Sequence, residues 1–275
     1  MTSAGTVRTE VEVDGVPASY LTCGDGPMVL LLHGTYWSRV WRPVMGRMAA
    51  LGVRPVAVDL PGAGHSGGEL TVETATVPEL ARWVGRFVEA LGEPAPLSIA
   101  GHDIGGALAQ HLLATGAVEV RRLALVNSVT YDSWPVPGVA RYRDPELVAA
   151  TSVDELLAAR RQAVTTALGR QATEAEIQDY VEPWRTARVA RSWMALAAAA
   201  DSRYTLELVD RLRASSVPKF LIWGEDDPFQ KVEYADRFSV EMPATTLLRI
   251  PRAGHIPMEN EPALVGEALG NFFLE

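Results

Sequence analysis

Asp103 is the residue of this 275-residue chain with the clearest capacity for chemistry. It stands at the centre of Gly101-His102-Asp103-Ile104-Gly105, between a short apolar run and a helical pattern. Glycines around the central position let a strand turn sharply into a helix with the central side chain exposed. A carboxylate at a helix N-terminus is favoured in its ionised form and needs no base to act as a nucleophile. The alternative is that Asp103 only caps the helix, as Asp often does.

We predict that His255 and Asp227 complete a catalytic triad with Asp103. His255 lies in a loop between the last predicted strand and the last predicted helix, where a near-neutral imidazole can act as a general base. A carboxylate should orient this imidazole, and Asp227 follows the predicted strand 219–223 directly before a proline. Asp226 is the second choice for this role. A surface position for His255 is the alternative.

Two backbone N–H groups are expected to form an oxyanion hole. Ile104 supplies one, because it follows the nucleophile. Thr35, in the loop directly after the predicted strand 28–32, is the best candidate for the other.

Ser66 satisfies the same G-x-S-x-G pattern but lacks its structural context. The segment 64–68 follows a turn-rich stretch and leads into another loop, so we interpret Ser66 as a loop residue. His102 and His111 are assigned structural roles.

Alternating strands and helices must position these residues. Two early strands, 7–13 and 16–22, are predicted around an Asp-Gly turn. Further strands are apolar enough to be buried on both faces, as parallel strands are; they are 28–32, 54–58, 96–100, 122–126, 219–223 and 245–250. Helical patterns lie at about 39–51, 78–92, 104–115 and 261–273. The order indicates an α/β fold with a mostly parallel, doubly wound sheet.

A helical insertion interrupts this alternation. Between about 130 and 214 only helical patterns occur, at 146–168, 173–199 and 204–213. We predict a core formed by residues 1–128 and 215–275, with residues 129–214 as a cap over the carboxyl ends of the strands, where open α/β folds bind ligands.

Composition excludes several classes of protein. Hydrophobic residues make up 48% and charged residues 21%, which excludes a disordered chain. A formal net charge of −9 argues against nucleic acid or an anionic membrane as a partner. Cys23 is the only cysteine and the five histidines are not spaced as ligands, so no metal or other cofactor is expected. The opening segment MTSAGTVRTE has no apolar signal core, and we expect a cytoplasmic protein.

Taken together, these motifs resemble the α/β-hydrolase superfamily over nearly the whole chain. The matching segments are the HG loop at 33–34, DLPGAGHS at 59–66, the elbow at 101–105, GEDD at 224–227 and AGH at 253–255. The resemblance implies the α/β-hydrolase fold with a helical cap. The aspartate at the elbow narrows it to the branch of epoxide hydrolases and haloalkane or haloacid dehalogenases. In that branch Asp103 would attack an alkyl carbon to form a covalent ester, which water activated by His255 would hydrolyse.

The members of this branch differ in the residues that stabilise the leaving group. Haloalkane dehalogenases have a Trp directly after the nucleophile, where this chain has Ile104, and Ile104 and Ala107 cannot hold a carboxylate as the arginines of fluoroacetate-type dehalogenases do. Epoxide hydrolases use cap tyrosines to protonate the epoxide oxygen. The resemblance therefore favours epoxide opening, with Tyr180 as the first candidate acid and Tyr131 and Tyr142 next.

Three further readings of the same residues stay open. The same two steps could remove a halide; Asp103 could act as a base in a cofactor-independent lyase or cyclase; or the chain could be a ligand receptor on a hydrolase fold. Tyr36 stands where epoxide hydrolases generally have a proline. The aromatic-rich cap favours an apolar or aromatic small molecule. The oligomeric state is open, and a homodimer is one possibility.

Overall fold

An eight-stranded sheet forms the centre of the fold in the computed structural model, which describes residues 5–275. Residues 1–4 lie outside the described residues; they are the first part of the opening segment in which no signal peptide is predicted. The strands are β1 (Val7–Val13), β2 (Val16–Thr22), β3 (Met28–Leu32), β4 (Arg54–Val58), β5 (Leu97–Asp103), β6 (Val120–Ser128), β7 (Lys219–Gly224) and β8 (Thr245–Ile250). Their order is β1-β2-β4-β3-β5-β6-β7-β8, and only the β1–β2 and β2–β4 pairs are antiparallel. The prediction of a mostly parallel sheet is confirmed.

Helices cover both faces of this sheet. They are α1 (Arg42–Leu51), preceded by a 3₁₀ turn at Ser38–Trp41, then α2 (Val77–Leu91), α3 (Ile104–Thr115), α11 (Val232–Glu241), α12 (Pro257–Asn260) and α13 (Pro262–Leu274). Successive residues of a strand point to opposite faces, so Leu30 and Leu32 join one apolar cluster and Leu31 joins the other. Burial on both faces explains why the inner strands are near-continuous apolar runs.

Only helices occur between β6 and β7. They are α4 (Pro137–Ala140), α5 (Pro145–Ala150), α6 (Val153–Leu168), α7 (Glu174–Val181), α8 (Ala187–Ala199), α9 (Arg203–Leu206) and α10 (Val209–Ala214), with 3₁₀ turns at Arg141–Arg143 and Glu182–Arg185. The division of the chain into a core and a cap of residues 129–214 stays a prediction. No helix within residues 5–275 is long and apolar enough to cross a membrane.

The structure differs from the predicted helices at several places, among them the helix predicted over 204–213, which is divided into α9 and α10. The helix predicted over 146–168 is divided, because Ser152 caps α6 through a reciprocal bond with Glu155. The helix predicted over 173–199 breaks at a 3₁₀ turn that contains Pro183. Helix α11 is absent from the predicted pattern; it is mostly polar and buries only Ala235 and Phe238.

Candidate active site

Asp103 is the last residue of β5 and directly precedes α3, with φ 55° and ψ −128°. Residues other than glycine rarely adopt this conformation, and here the Asp103 side chain lines a cavity. The glycines around it are required by close packing. A Cβ on Gly101 would stand 2.4 Å from the Gly105 carbonyl oxygen, and a Cβ on Gly105 would stand 2.3 Å from the Leu32 carbonyl oxygen. A side chain at either position would therefore force the backbone of the sharp strand-to-helix turn to shift.

Thr35 holds one oxygen of the Asp103 carboxylate. Its N–H and its hydroxyl donate to Asp103 Oδ2, at 2.9 and 2.7 Å. Within residues 5–275 no group donates a hydrogen bond to the other oxygen, Oδ1, which leaves that oxygen free for a ligand. The Ile104 nitrogen lies 2.4 Å from where a Cβ of Gly34 would stand, and Asp103 Oδ2 lies 2.7 Å from the same point. Both predicted oxyanion donors thus lie beside the Asp103 carboxylate.

Asp227, rather than Asp226, contacts His255. His255 Nδ1 donates to Asp227 Oδ2 at 2.8 Å, and both side chains are buried, whereas Asp226 is exposed. Asn127 Nδ2 donates to the same oxygen at 2.7 Å, and the Phe229 N–H donates to Asp227 Oδ1 at 2.7 Å. Because Nδ1 carries the proton of this bond, Nε2 is the nitrogen of neutral His255 that can accept a proton from water.

The surroundings of this pair favour its charged form. Burial by itself lowers the pKa of His255, but the charge of Asp227 and the hydrogen bond to it outweigh burial, so the pKa is raised above 6.5. Burial by itself raises the pKa of Asp227, and here His255, the Phe229 N–H and Asn127 outweigh it, so the pKa is lowered. An imidazolium formed at His255 is therefore stabilised, as a general base requires.

Two further histidines support the site. The His102 ring packs 4.7 Å from the His255 ring, and His102 Nε2 donates to the His255 carbonyl oxygen at 2.8 Å. Burial lowers the pKa of His102 to about 4, so it stays neutral. His33 donates through Nδ1 to the Gly34 carbonyl oxygen and accepts the Leu60 N–H at Nε2, both at 2.9 Å. His33 thereby fixes the loop after β3. His111 is partly exposed on α3 and does not line the cavity.

The cavity next to Asp103 has a volume of about 380 Å³. Asp103 and His255 line it together with residues of the helical insertion, and most of its other lining side chains are apolar. This volume is typical of a small-molecule site. Within residues 5–275, no three His, Cys, Asp or Glu side chains are grouped so that they could bind a metal ion.

The prediction for two of the three cap tyrosines is wrong. Tyr180 is fully buried outside the cavity, and its hydroxyl donates to Glu259 Oε1 at 2.9 Å. The Tyr131 hydroxyl donates to Glu241 Oε2 at 3.3 Å, also outside the cavity. In both cases a glutamate accepts the hydroxyl proton, which was predicted to be donated to the substrate. Tyr142 does line the cavity.

Tyr36 is a second tyrosine of the cavity, and sequence analysis missed it. Its ring lies 6.0 Å from the His255 ring, and burial raises its pKa well above 10. The Tyr142 hydroxyl accepts a bond from Arg141 Nη2 at 2.8 Å, so its own proton remains available. The position of Tyr36 directly after Thr35 could have indicated a place in the cavity. From the sequence we note only that Tyr36 stands where epoxide hydrolases generally have a proline.

Two tryptophans line the cavity, but neither has a free N–H. Trp134 Nε1 donates to Thr205 Oγ1 at 2.7 Å, and Trp193 Nε1 donates to the Thr35 carbonyl oxygen at 2.9 Å. Arg160 of α6 also lines the cavity, and nothing in the sequence distinguishes it from the other arginines of the insertion. The role of Asn127 in binding Asp227 was not predicted, because only carboxylates were considered as partners of His255. Its place near the end of β6 could be predicted from the sequence.

Ser66 is a buried loop residue. Its hydroxyl donates to the Asp59 carbonyl oxygen at 2.6 Å and accepts the Ser19 N–H at 2.9 Å. It does not line the cavity of Asp103. Its hydroxyl is thus occupied in joining the loop to β2.

Comparisons with known proteins agree on the fold and differ in the reaction. The model of the alpha/beta hydrolase family matches residues 29–268. The chain is 27% identical to a pimeloyl-[acyl-carrier protein] methyl ester esterase of Vibrio vulnificus, over 88% of this chain and 92% of that protein. It is 32% identical to bifunctional epoxide hydrolase 2 of Sus scrofa, over 44% of this chain and only 22% of that protein.

A solved structure is similar over almost the whole chain. It is a haloalkane dehalogenase of Bradyrhizobium elkani, with a TM-score of 0.83, 25% identity and coverage of 98% of both chains. An esterase, an epoxide hydrolase and a dehalogenase thus all resemble this chain, so the choice between reactions depends on the residues of its own cavity.

Proposed function

Because the chain belongs to the alpha/beta hydrolase family, we propose that it is a hydrolase that opens an epoxide by nucleophilic attack of Asp103. The observation that carries this proposal is the Asp103 carboxylate, with one oxygen bound by Thr35 and the other free in the cavity that it shares with His255. Attack by a carboxylate on a carbonyl would give an unstable anhydride. Attack on a saturated carbon gives an ester, which the same site can hydrolyse.

In the first step Asp103 Oδ1 forms a bond to one epoxide carbon. The carbon–oxygen bond of the ring breaks, its electron pair remains on the oxygen, and that oxygen takes a proton from a tyrosine. Tyr142 is the donor we propose, since its hydroxyl accepts from Arg141 and keeps its own proton to give. The products of this step are an alkyl ester of Asp103, a new hydroxyl on the substrate, and a phenolate.

In the second step His255 Nε2 takes a proton from water, and the resulting hydroxide attacks the carbonyl carbon of the ester. The negative charge moves to Oδ2, where Thr35 already donates two hydrogen bonds, and Ile104 N–H is the second backbone donor. Collapse of this adduct releases the second hydroxyl of the diol, protonated by His255. The proton left on Asp103 returns to the phenolate.

Dehalogenation by the same two steps is the second candidate, favoured by the similarity to the haloalkane dehalogenase structure. A halide leaving group needs hydrogen-bond donors such as indole N–H groups. The N–H groups of Trp134 and Trp193 are occupied by protein acceptors. A phenol that can give a proton suits an epoxide oxygen better than a halide, so we place epoxide opening first.

A single turnover in ¹⁸O-water tests the proposal. The enzyme is held in excess over an epoxide such as styrene oxide, and both the diol and the peptide that contains Asp103 are analysed by mass. We expect the first diol to carry no ¹⁸O and Asp103 to gain one ¹⁸O, because the oxygen given to the product comes from the carboxylate. Label in the first diol with none in Asp103 would contradict the nucleophilic role.

The same experiment distinguishes a hydrolase from a lyase, a cyclase or a ligand receptor. An Asp103 that acts as a base in a lyase or cyclase would turn over substrate without exchange at its carboxylate. A ligand receptor would bind without any turnover. Either result would overturn the proposed hydrolase.

A further inference from the structure

Arg160 is a buried cation with no carboxylate partner. Only 4% of it is exposed, and no Asp or Glu within residues 5–275 lies close enough to form an ion pair with it. Buried arginines are almost always paired, because an isolated charge is costly to remove from water. A buried and unpaired guanidinium on the wall of a cavity therefore points to a partner that comes with the ligand.

The surrounding residues hold the guanidinium in one position. Its Nη2 donates to the Thr35 carbonyl oxygen at 3.0 Å, and its central carbon lies 4.5 Å from the Trp184 ring and 4.4 Å from the Trp193 ring. Aromatic faces stabilise a cation without satisfying its N–H groups. Arg160 is thus fixed in place, while part of its hydrogen-bonding capacity is unused.

Arg160 and Tyr36 both line the cavity and offer it more hydrogen-bond donors than the described residues satisfy. Arg160 Nη2 donates to the Thr35 carbonyl oxygen, the guanidinium also contacts the Tyr36 hydroxyl as a donor, and Nε has no partner within residues 5–275. The Tyr36 ring lies 5.2 Å from the guanidinium carbon, and a guanidinium has only donors, so it cannot accept the Tyr36 hydroxyl proton. Within residues 5–275 Arg160 is the hydrogen-bond partner of the Tyr36 hydroxyl, so no protein group accepts that proton. A ligand group with two acceptor oxygens would satisfy both donors.

The charges of the cavity also favour an anion. Its lining contains one carboxylate, Asp103, and two arginines, Arg160 inside and the exposed Arg141. Thr35 stands between Asp103 and Arg160, since its N–H binds the carboxylate and its carbonyl oxygen binds the guanidinium. Asp103 therefore offsets the charge of Arg160 only from a distance. In a chain of net charge −9, the side chains that line this cavity carry one more positive than negative charge, and the nearest further carboxylate, Asp227, is paired with His255.

We propose that Arg160, with the Tyr36 hydroxyl, binds a carboxylate of the substrate, so that the natural substrate is an epoxide that carries an acid group. This inference rests on the proposed function, because it names the substrate class of the same site. Charge-assisted bonds to a buried guanidinium are strong and directional, so the acid group would also orient the epoxide relative to Asp103.

Binding of unreactive probes to the wild-type protein tests the subsite without any variant. Phenylacetate and phenylacetamide have the same shape and differ in charge, and the tryptophans at the cavity report binding by fluorescence. We expect phenylacetate to bind about tenfold to a hundredfold more tightly, the difference typical of hydrogen bonds to a charged group. Equal binding of the two probes would overturn the proposal.

The variant Arg160→Gln then assigns the effect to this residue, and Arg161→Gln is the matched control. Arg161 is the next residue of α6, and it pairs with Glu174 away from the cavity. We expect Arg160→Gln to bind both probes equally and Arg161→Gln to keep the preference for phenylacetate. Retained preference in Arg160→Gln would exclude Arg160 as the carboxylate site.

Turnover of 3-phenylglycidate and of its amide separates binding of an acid group from stabilisation of the leaving oxygen. We expect Arg160→Gln to lower kcat/KM about tenfold to a hundredfold for the acid and little for the amide. An equal loss for both would show that Arg160 acts on the epoxide oxygen, which both substrates share, and would overturn the proposal. If neither epoxide reacts while phenylacetate still binds through Arg160, the subsite stands and the proposed epoxide chemistry fails.

Discussion

Thr35 and Asp103 are joined by two hydrogen bonds to a single carboxylate oxygen, from the Thr35 N–H at 2.9 Å and from its hydroxyl at 2.7 Å. Holding Oδ2 leaves Oδ1 as the oxygen that can attack. In the proposed second step the negative charge develops on the oxygen that Thr35 already binds. The contact that orients the nucleophile is then the same contact that stabilises the oxyanion, and no rearrangement is needed between the steps.

Thr35→Val is expected to slow hydrolysis of the ester about tenfold to a thousandfold, because it removes one oxyanion donor and keeps the shape of the side chain. Rapid-quench measurement of the ester separates this step from its formation. Thr35→Ser restores a hydroxyl and should recover most of the rate. A wild-type rate of ester hydrolysis in Thr35→Val would show that the Thr35 hydroxyl has no role in this step.

Asp227→Asn is expected to lower the rate of ester hydrolysis by a factor on the order of 10²–10⁴, since it removes the charge that stabilises protonated His255. The covalent ester should accumulate in this variant. Asp226→Asn is the matched control, because Asp226 is adjacent and exposed. A wild-type rate in Asp227→Asn would remove Asp227 from the triad.

Ester hydrolysis is expected to fall as the pH is lowered. His255 must be neutral to take a proton from water, and Asp227 raises its pKa above 6.5, so the neutral form is lost at a higher pH than for a free histidine. The midpoint of the profile should therefore lie above about pH 6.5, and Asp227→Asn should move it to lower pH. The ester hydrolysis rate between about pH 5 and about pH 9 measures this. A flat profile would exclude His255 as the base.

Gly101→Ala is expected to destabilise the fold by about 1–3 kcal/mol, because its Cβ would stand 2.4 Å from the Gly105 carbonyl oxygen, where backbone cannot move aside. Gly85→Ala is the control. Gly85 lies on α2 with no atom within 4 Å of the added Cβ, and alanine there should stabilise the helix by about 0.5–1 kcal/mol. Urea denaturation gives both free energies of unfolding. Similar values for the two variants would mean that the elbow tolerates a side chain.

The sequence is informative wherever a residue's neighbours along the chain determine its position. Asp103 is positioned by adjacent glycines, and His255 and Asp227 by the strands that end just before them, so the pattern of strands and turns brings them to one edge of the sheet. Contacts between distant segments leave no such pattern. Tyr180 and Tyr131 are held outside the cavity by carboxylates from other parts of the chain.

Arg160 and Asn127 are residues of the site that were not predicted from the sequence. Arg160 reaches the cavity because of the particular face that α6 turns towards Thr35, and a helix rich in Ala and Arg does not reveal that face in its sequence. Asn127 could be found from the sequence, since it lies near the end of the strand next to β7. Its amide orients Asp227 from a position where a search for carboxylates alone finds nothing.

The most direct measurement of the central claim is the intact mass of His255→Ala after exposure to styrene oxide and to 3-phenylglycidate. Without the base, the ester should persist, so we expect a mass gain equal to the whole epoxide on the peptide that contains Asp103. The double variant His255→Ala/Asp103→Ala should show no mass gain. A gain equal to an alkyl group, after exposure to an alkyl halide, would instead indicate dehalogenation. No adduct with either class, while the wild-type protein turns over the same compound, would contradict nucleophilic attack by Asp103.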